Sequence, residues 1–150
     1  MVEKPVLPVD YAFHHIGCAT TSIERERGLF EAMGYQQEGE MFSDPLQGIA
    51  GCFISGPGPR IELLENLPGA DTLTPWLTAG VKWYHLAYEV DDMNRALDWA
   101  RSHGGKVIVQ PVPATAFRGR HISFVMFRNK TMLEFIHKSA PLCNGQSNGG

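Results

Sequence analysis

A degenerate internal repeat of about 70 residues constrains this chain more than any other feature. Phe13-His14-His15-Ile16-Gly17-Cys18-Ala19 is answered by Trp83-Tyr84-His85-Leu86-Ala87-Tyr88-Glu89: an aromatic position, a histidine, an aliphatic and a small residue recur in order. His15 and His85 stand 70 positions apart, and so do Thr21 and Asp91, two candidate helix N-caps, and Gly34 and Gly104, two candidate helix stops. Thr21-Ser22-Ile23-Glu24 also fits a capping box. The closing segments, Ile61-Glu62-Leu63-Leu64 and Leu133-Glu134-Phe135-Ile136, match at an offset of 72, a net insertion of two residues in the second copy.

Between these landmarks each copy reads as one helix and several strands. The helices are expected at 22–33, with an apolar stripe of Ile23, Leu29, Phe30 and Met33, and at 92–103, with Met93, Ala96, Leu97 and Ala100. Strands are expected at 35–42, 49–54 and 60–64, then at 106–110, 121–127 and 132–137. Turn-forming clusters such as Ser43-Asp44-Pro45 and Gly56-Pro57-Gly58-Pro59 separate them. Thr74-Pro75-Trp76-Leu77 reads as a short helix capped by Thr74. The expected fold is α+β: two tandem βαβββ modules whose sheets join edge to edge into a curved mixed sheet around a shared interior. The expected organisation is an extended arm over 1–10, a first module over 11–70, a linker with the short helix over 71–82, a second module over 83–138 and a disordered tail over 139–150.

Composition excludes several classes. A net charge of −3 gives no reason to expect nucleic acid or an anionic membrane as partner, and 43 % apolar with 19 % charged residues is ordinary for a soluble domain. No apolar run nears the roughly 20 residues of a membrane span, and the N-terminal segment lacks the pattern of a signal peptide, so a cytoplasmic protein is expected. Three cysteines without a C-x-x-C pair argue against a disulfide framework or zinc ribbon, and Cys18 and Cys52 read as small buried hydrophobes.

The chemistry concentrates in four residues. Each copy offers a histidine on its first strand, His15 and His85, and a glutamate on its last, Glu62 and Glu134, all among apolar neighbours. A buried carboxylate needs a partner or a metal. Two neutral imidazoles, two carboxylates and a divalent cation sum to zero charge. Mixed nitrogen and oxygen donors suit cobalt, nickel, zinc, manganese or iron without selecting among them. His14 competes with His15, but the repeat favours His15 because Tyr84 precedes His85. Glu65 competes with Glu62 but falls at the start of a loop; His103, His121 and His137 read as surface or structural groups.

With His15-Ile16-Gly17, Asp44-Pro45-Leu46-Gln47-Gly48, Ile61-Glu62-Leu63-Leu64-Glu65 and His85-Leu86-Ala87-Tyr88-Glu89-Val90-Asp91-Asp92 in hand, the chain resembles the vicinal-oxygen-chelate superfamily over residues 12–138. That superfamily includes glyoxalase I, extradiol dioxygenases, bleomycin-resistance proteins and methylmalonyl-CoA epimerase, and the resemblance is nearest to the epimerase branch. It implies paired βαβββ modules, a homodimer, and metal ligands at His15, Glu62, His85 and Glu134. It also implies a small-molecule substrate, an acyl-CoA in the epimerase branch. The implied reaction is an isomerisation through α-proton abstraction and a metal-stabilised enolate, with Glu134 the first candidate base and Glu62 the second.

The chain departs from the epimerases at three places. Where some carry a further glutamate, Gly51 stands. The segment Phe117-Arg118-Gly119-Arg120-His121 is more basic, which makes Arg118 and Arg120 candidates for holding an anionic substrate group. The hairpin at Asn129-Lys130 is shorter. A glyoxalase I-type lyase with the same four ligands is the first alternative, and a non-catalytic small-molecule-binding protein of resistance type the second. An extradiol dioxygenase fits less well, because a second glutamate fills the place left open there for oxygen.

Overall fold

The computed structural model describes residues 7–139; residues 1–6 of the expected arm and residues 140–150 of the expected tail, Cys143 among them, lie outside the described residues. The element order is β1 (Tyr11–Ala19), α1 (Ile23–Ala32), β2 (Gln36–Asp44), β3 (Ile49–Ser55), β4 (Ile61–Asn66), α2 (Thr74–Ala79), β5 (Trp83–Val90), α3 (Met93–Ser102), β6 (Lys106–Pro113), a 3₁₀ turn (Thr115–Phe117), β7 (His121–Met126) and β8 (Met132–His137). Strand, helix and three strands therefore occur twice in succession. Among the described residues eight strands form one curved mixed sheet in the order β2-β3-β4-β1-β5-β8-β7-β6. The halves meet where β1 runs antiparallel to β5, and each first strand pairs in parallel with the last strand of its own half.

Strand alternation sorts the side chains into two faces. On one face, Ile61 and Leu63 pack with Ile23 and Phe30 of α1, together with Cys18, Cys52 and Ile54. Both cysteines are fully buried, as small hydrophobes. Phe135 and Val125 pack with Met93, Ala96, Leu97 and Ala100 of α3. On the other face a third cluster crosses both halves and includes Leu64, Tyr84, Ala87, Phe117, Ile122 and Phe124. Among the described residues no helix is long and apolar enough to cross a membrane.

The helix ends show the repeat most clearly. Both helices close in the same motif: Tyr35 N–H donates to Phe30 C=O and Gly34 N–H to Glu31 C=O, while Gly105 N–H donates to Ala100 C=O and Gly104 N–H to Arg101 C=O. Gly34 at φ 104° and Gly104 at φ 82° supply the left-handed residue each closure needs. The N-caps lie one residue later than the sequence suggested. Ser22 Oγ accepts from Arg25 N–H and Asp92 Oδ1 from Arg95 N–H, so Ser22 and Asp92, not Thr21 and Asp91, do the capping. The shift is the same in both halves, because only these side chains reach the N–H three residues on.

Two other expectations fail. Leu29 and Met33 are 62 % and 56 % exposed, so the buried stripe of α1 reduces to Ile23 and Phe30, two turns apart. The short helix is capped by Leu73 with Thr74 already inside it: the Asn66 side chain accepts from Leu73 N–H and donates to Thr74 Oγ1, taking over the role expected of threonine.

Candidate metal centre

The four candidate ligands converge. His15, Glu62, His85 and Glu134 are each no more than 3 % exposed, and one donor atom from each lies within 4.8 Å of the others. The sheet register explains how. Gly17 pairs with Glu62 on one side and with His85 on the other, while Ala87 pairs with Glu134 on one side and His15 on the other. Each half thus contributes a small residue flanked by a histidine and a glutamate. Gly17 has to be small: a Cβ there would meet His85 Cε1 at 2.1 Å. A small residue recurs two positions after each histidine in the sequence, and at Gly17 this contact is its physical reason.

His15 Nε2 lies 3.0 Å from His85 Nε2, 3.2 Å from Glu62 Oε1 and 3.2 Å from Glu134 Oε1. His85 Nε2 lies 3.6 Å from Glu62 Oε1 and 3.4 Å from Glu134 Oε1. Donors each about 2.1 Å from one ion stand about 3.0 Å apart at a right angle and about 3.4 Å at a tetrahedral angle. The spacing therefore fits a single divalent ion. Glu134 Oε1, although close to both imidazoles, has no hydrogen-bond partner among the described residues, as expected of a group aimed at a shared centre.

The charges are interlocked. Burial alone would lower the pKa of His15, but Glu62 and Glu134 outweigh it and raise it to about 9. Burial would raise Glu62, but the two imidazoles outweigh it and hold it at about 2. Glu134 is likewise lowered and His85 raised. The two facing Nε2 atoms cannot both point a hydrogen along the line joining them, so a cation that displaces protons relieves the conflict.

An aromatic shell closes the site. Phe117 stacks on His15 with centroids 6.0 Å apart, and Phe53 meets it edge-on at 5.2 Å. Tyr84 and Phe124 meet His85 edge-on at 4.5 and 5.2 Å. Burial and both carboxylates push the Tyr84 hydroxyl well above its ordinary range. Two cavities reach this shell. One of about 680 Å³ includes His85, Tyr84 and Met132 in its wall. An apolar one of about 350 Å³ is lined by Tyr84 and Phe124 together with Leu73, Trp76 and Val109.

The remaining candidates fall elsewhere. His14 lies outside the quartet and behind His15, its Nδ1 2.8 Å from His15 Nδ1; burial, then His15 and Arg60, lowers its pKa to about 4. Glu65 accepts from Ile23 N–H and so serves the start of α1. Arg120 bonds Glu89 at 2.9 Å and the carbonyls of His137 and Lys138, and its guanidinium lies over Phe117. Arg118 is an exposed left-handed turn residue at φ 55°. Neither arginine joins the quartet. Gly51 is closely packed: a Cβ there would come within 2.5 Å of the Phe42 ring, 2.6 Å of Leu64 and 2.9 Å of the Leu63 carbonyl oxygen, the last a backbone contact that a side-chain shift does not relieve.

Sequence reading missed Asp44. It looked like a turn residue, yet it is buried, and its carboxylate accepts from Gln47 N–H, Gln47 Nε2–H and Thr115 N–H. The last bond ties the end of β2 to the 3₁₀ turn that carries Phe117. The Asp-x-x-Gln spacing was the available signal, but nothing local predicts a partner 71 residues away.

An ethylmalonyl-CoA/methylmalonyl-CoA epimerase from Cereibacter sphaeroides is 24 % identical over 116 residues, covering 75 % of this chain and 85 % of the relative. A hypothetical protein from Bacillus halodurans C-125 superposes with a TM-score of 0.74 at 24 % identity, covering 89 % of this chain and 99 % of the other. Methylmalonyl-CoA epimerase from Mycobacterium tuberculosis superposes with a TM-score of 0.70 at 18 % identity, covering 93 % of each. At these identities the structural likenesses speak for the fold. Residues 14–124, most of the chain, match the Glyoxalase/Bleomycin resistance protein/Dioxygenase superfamily, and the chain belongs to it.

Proposed function

We propose that this chain is a divalent-metal-dependent isomerase that abstracts an α-proton from a substrate with adjacent oxygens, in the manner of methylmalonyl-CoA epimerase. The observation that carries the reading is the buried quartet in which the two imidazoles stand 3.0 Å apart and each lies 3.2–3.6 Å from both carboxylates. His15, Glu62, His85 and Glu134 would hold the ion, which supplies positive charge beside the substrate oxygens and acidifies the neighbouring C–H.

The chain's own groups then account for the proton. A carboxylate has two oxygens, so Glu134 can face the ion with one and take the proton with the other. Glu62 stands on β4 and Glu134 on β8, on opposite flanks of the central strand pair. That placement suits removal of a proton on one face and its return on the other, with Glu62 as the second group. The aromatic shell keeps water from competing for the anion formed. The epimerase named above supports an acyl-CoA as the substrate class.

The absence of space for an acid at Gly51 favours one alternative, a glyoxalase I-type lyase with the same four ligands. The deciding experiment is α-proton exchange from methylmalonyl-CoA in deuterated water, followed by NMR, with cobalt-loaded chain against a metal-stripped control. Fast metal-dependent exchange that disappears in Glu134→Ala is expected. Exchange and metal retention undiminished in Glu134→Ala would overturn the assignment, and no exchange beside turnover of a thiol–glyoxal adduct would move it to the lyase.

A further inference from the structure

Resting on the metal reading above, we propose that His14 is a positioning residue which, with Glu89 and Arg120, fixes His15 in the tautomer whose Nε2 lone pair faces the donor set. Consecutive strand residues normally point to opposite faces. Here the β1–β5 register slips between Phe13 and His15, leaving His14 as the extra residue and letting both rings reach the same region. The rings stand edge to face with centroids 5.0 Å apart and their Nδ1 atoms 2.8 Å apart.

One of those two nitrogens donates and the other accepts, so two arrangements compete. If His14 donated, His15 would have its lone pair on Nδ1 and a hydrogen on Nε2, pointing at the quartet and blocking ligation. The surroundings of His14 decide against this. Its Nε2 lies 4.0 Å from Glu89 Oε1, and Glu89 is held in place through Oε2 by Arg120 at 2.9 Å. A fixed negative charge beside Nε2 favours the hydrogen there, leaving Nδ1 of a neutral His14 as acceptor. His15 Nδ1–H then donates and its Nε2 is free. An outer partner that accepts from a ligand histidine orients the ring and raises its basicity.

The strut belongs to the first half alone. The repeat equivalent of His14 is Tyr84, and His85 Nδ1 is buried without a hydrogen-bond partner among the described residues. The repeat singles out His15 over His14, and the 2.8 Å contact places His14 beside that histidine and outside the quartet.

The test begins with the ¹⁵N-labelled full chain loaded with zinc. A through-hydrogen-bond coupling between the two Nδ1 atoms, with the His15 proton on Nδ1 and the His14 proton on Nε2, is expected. A proton on His14 Nδ1 would overturn the proposal, and this measurement needs no variant to fold. In His14→Leu, cobalt affinity should fall about 10- to 100-fold, with a changed cobalt absorption spectrum. His14→Asn, whose Oδ1 can accept near the place of Nδ1, should restore most of both. Glu89→Gln, at a half-buried position, should weaken cobalt binding in the same direction with circular dichroism unchanged. Wild-type cobalt affinity in His14→Leu would overturn the strut alone, whereas a wild-type chain that binds neither cobalt nor zinc would overturn the metal reading on which it rests.

Discussion

The two histidines at the centre occupy equivalent places in the repeat but live in different surroundings. His15 is braced from behind by His14 and covered by Phe117, which arrives from the other half of the chain. His85 has an Nδ1 without a partner among the described residues, lies against the bare backbone of Gly17, and forms part of a cavity wall. A repeat places donors with near-symmetry, because strand register is copied with it. It does not copy what stands behind each donor. One half therefore braces its histidine while the other leaves room next to its own.

The strongest way to break this comparison is to exchange the two small residues. Gly17→Ala puts a methyl group into the His85 ring, and an overlap at 2.1 Å forces that ring or the strand to shift. It should cost about 1–3 kcal/mol or more and displace His85 from the quartet, with loss of cobalt binding. Ala87→Gly, at the equivalent position beside His15, only removes a methyl; it should cost about 0.5–1 kcal/mol and leave cobalt binding in place. Urea denaturation and cobalt titration of both variants would check this. Equal effects of the two would mean that the halves are interchangeable at the centre.

A second test concerns the side-chain bond from Asp44 to Thr115, one of the contacts between the halves. Asp44→Ala leaves Thr115 N–H and the Gln47 donors without their acceptor, which should cost about 1–3 kcal/mol. Because the turn from Thr115 to Phe117 covers His15 and not His85, the His15 ring should become the more solvent-exchangeable of the two. Imidazole exchange followed by NMR would show it. Equal exposure of both rings would mean that Phe117 is held by packing alone.

Sequence legibility follows the same division. The repeat exposed the strand–helix–strand order, the four converging residues and the glycines that close both helices, because each is fixed by local pattern copied twice. Leu29 was misplaced because a stripe of four apolar residues on a three-turn helix can be drawn two ways, and only the sheet beneath chooses Ile23 and Phe30. Arg120 looked available for substrate because its partners Glu89 and His137 lie on other strands. Asp44 and His14 owe their positions to a partner 71 residues away and to a register slip, neither of which a local pattern carries.

The smallest effect expected is a dependence on pH that separates the protons from the ion. In the metal-free chain His15 is raised from 6.5 to about 9, so its contribution to stability is full below pH 6.5 and is lost as pH rises through about 9. Glu62 is lowered from 4.5 to about 2, so its contribution is full above pH 4.5 and is lost as pH falls through about 2. Metal-free Tm should therefore be highest between pH 4.5 and 6.5 and decline toward pH 9. A divalent ion needs the imidazoles unprotonated, so its binding should release protons below pH 9 and strengthen as pH rises toward that value. The metal-free and zinc-loaded stability curves should then diverge on the alkaline side, where the protonated quartet fails and the ion takes over its charge balance. Calorimetry of zinc binding in two buffers of different ionisation heat counts the protons released. Parallel curves with no proton release would mean that the ion binds elsewhere, and the braced His15 would lose its place at the centre.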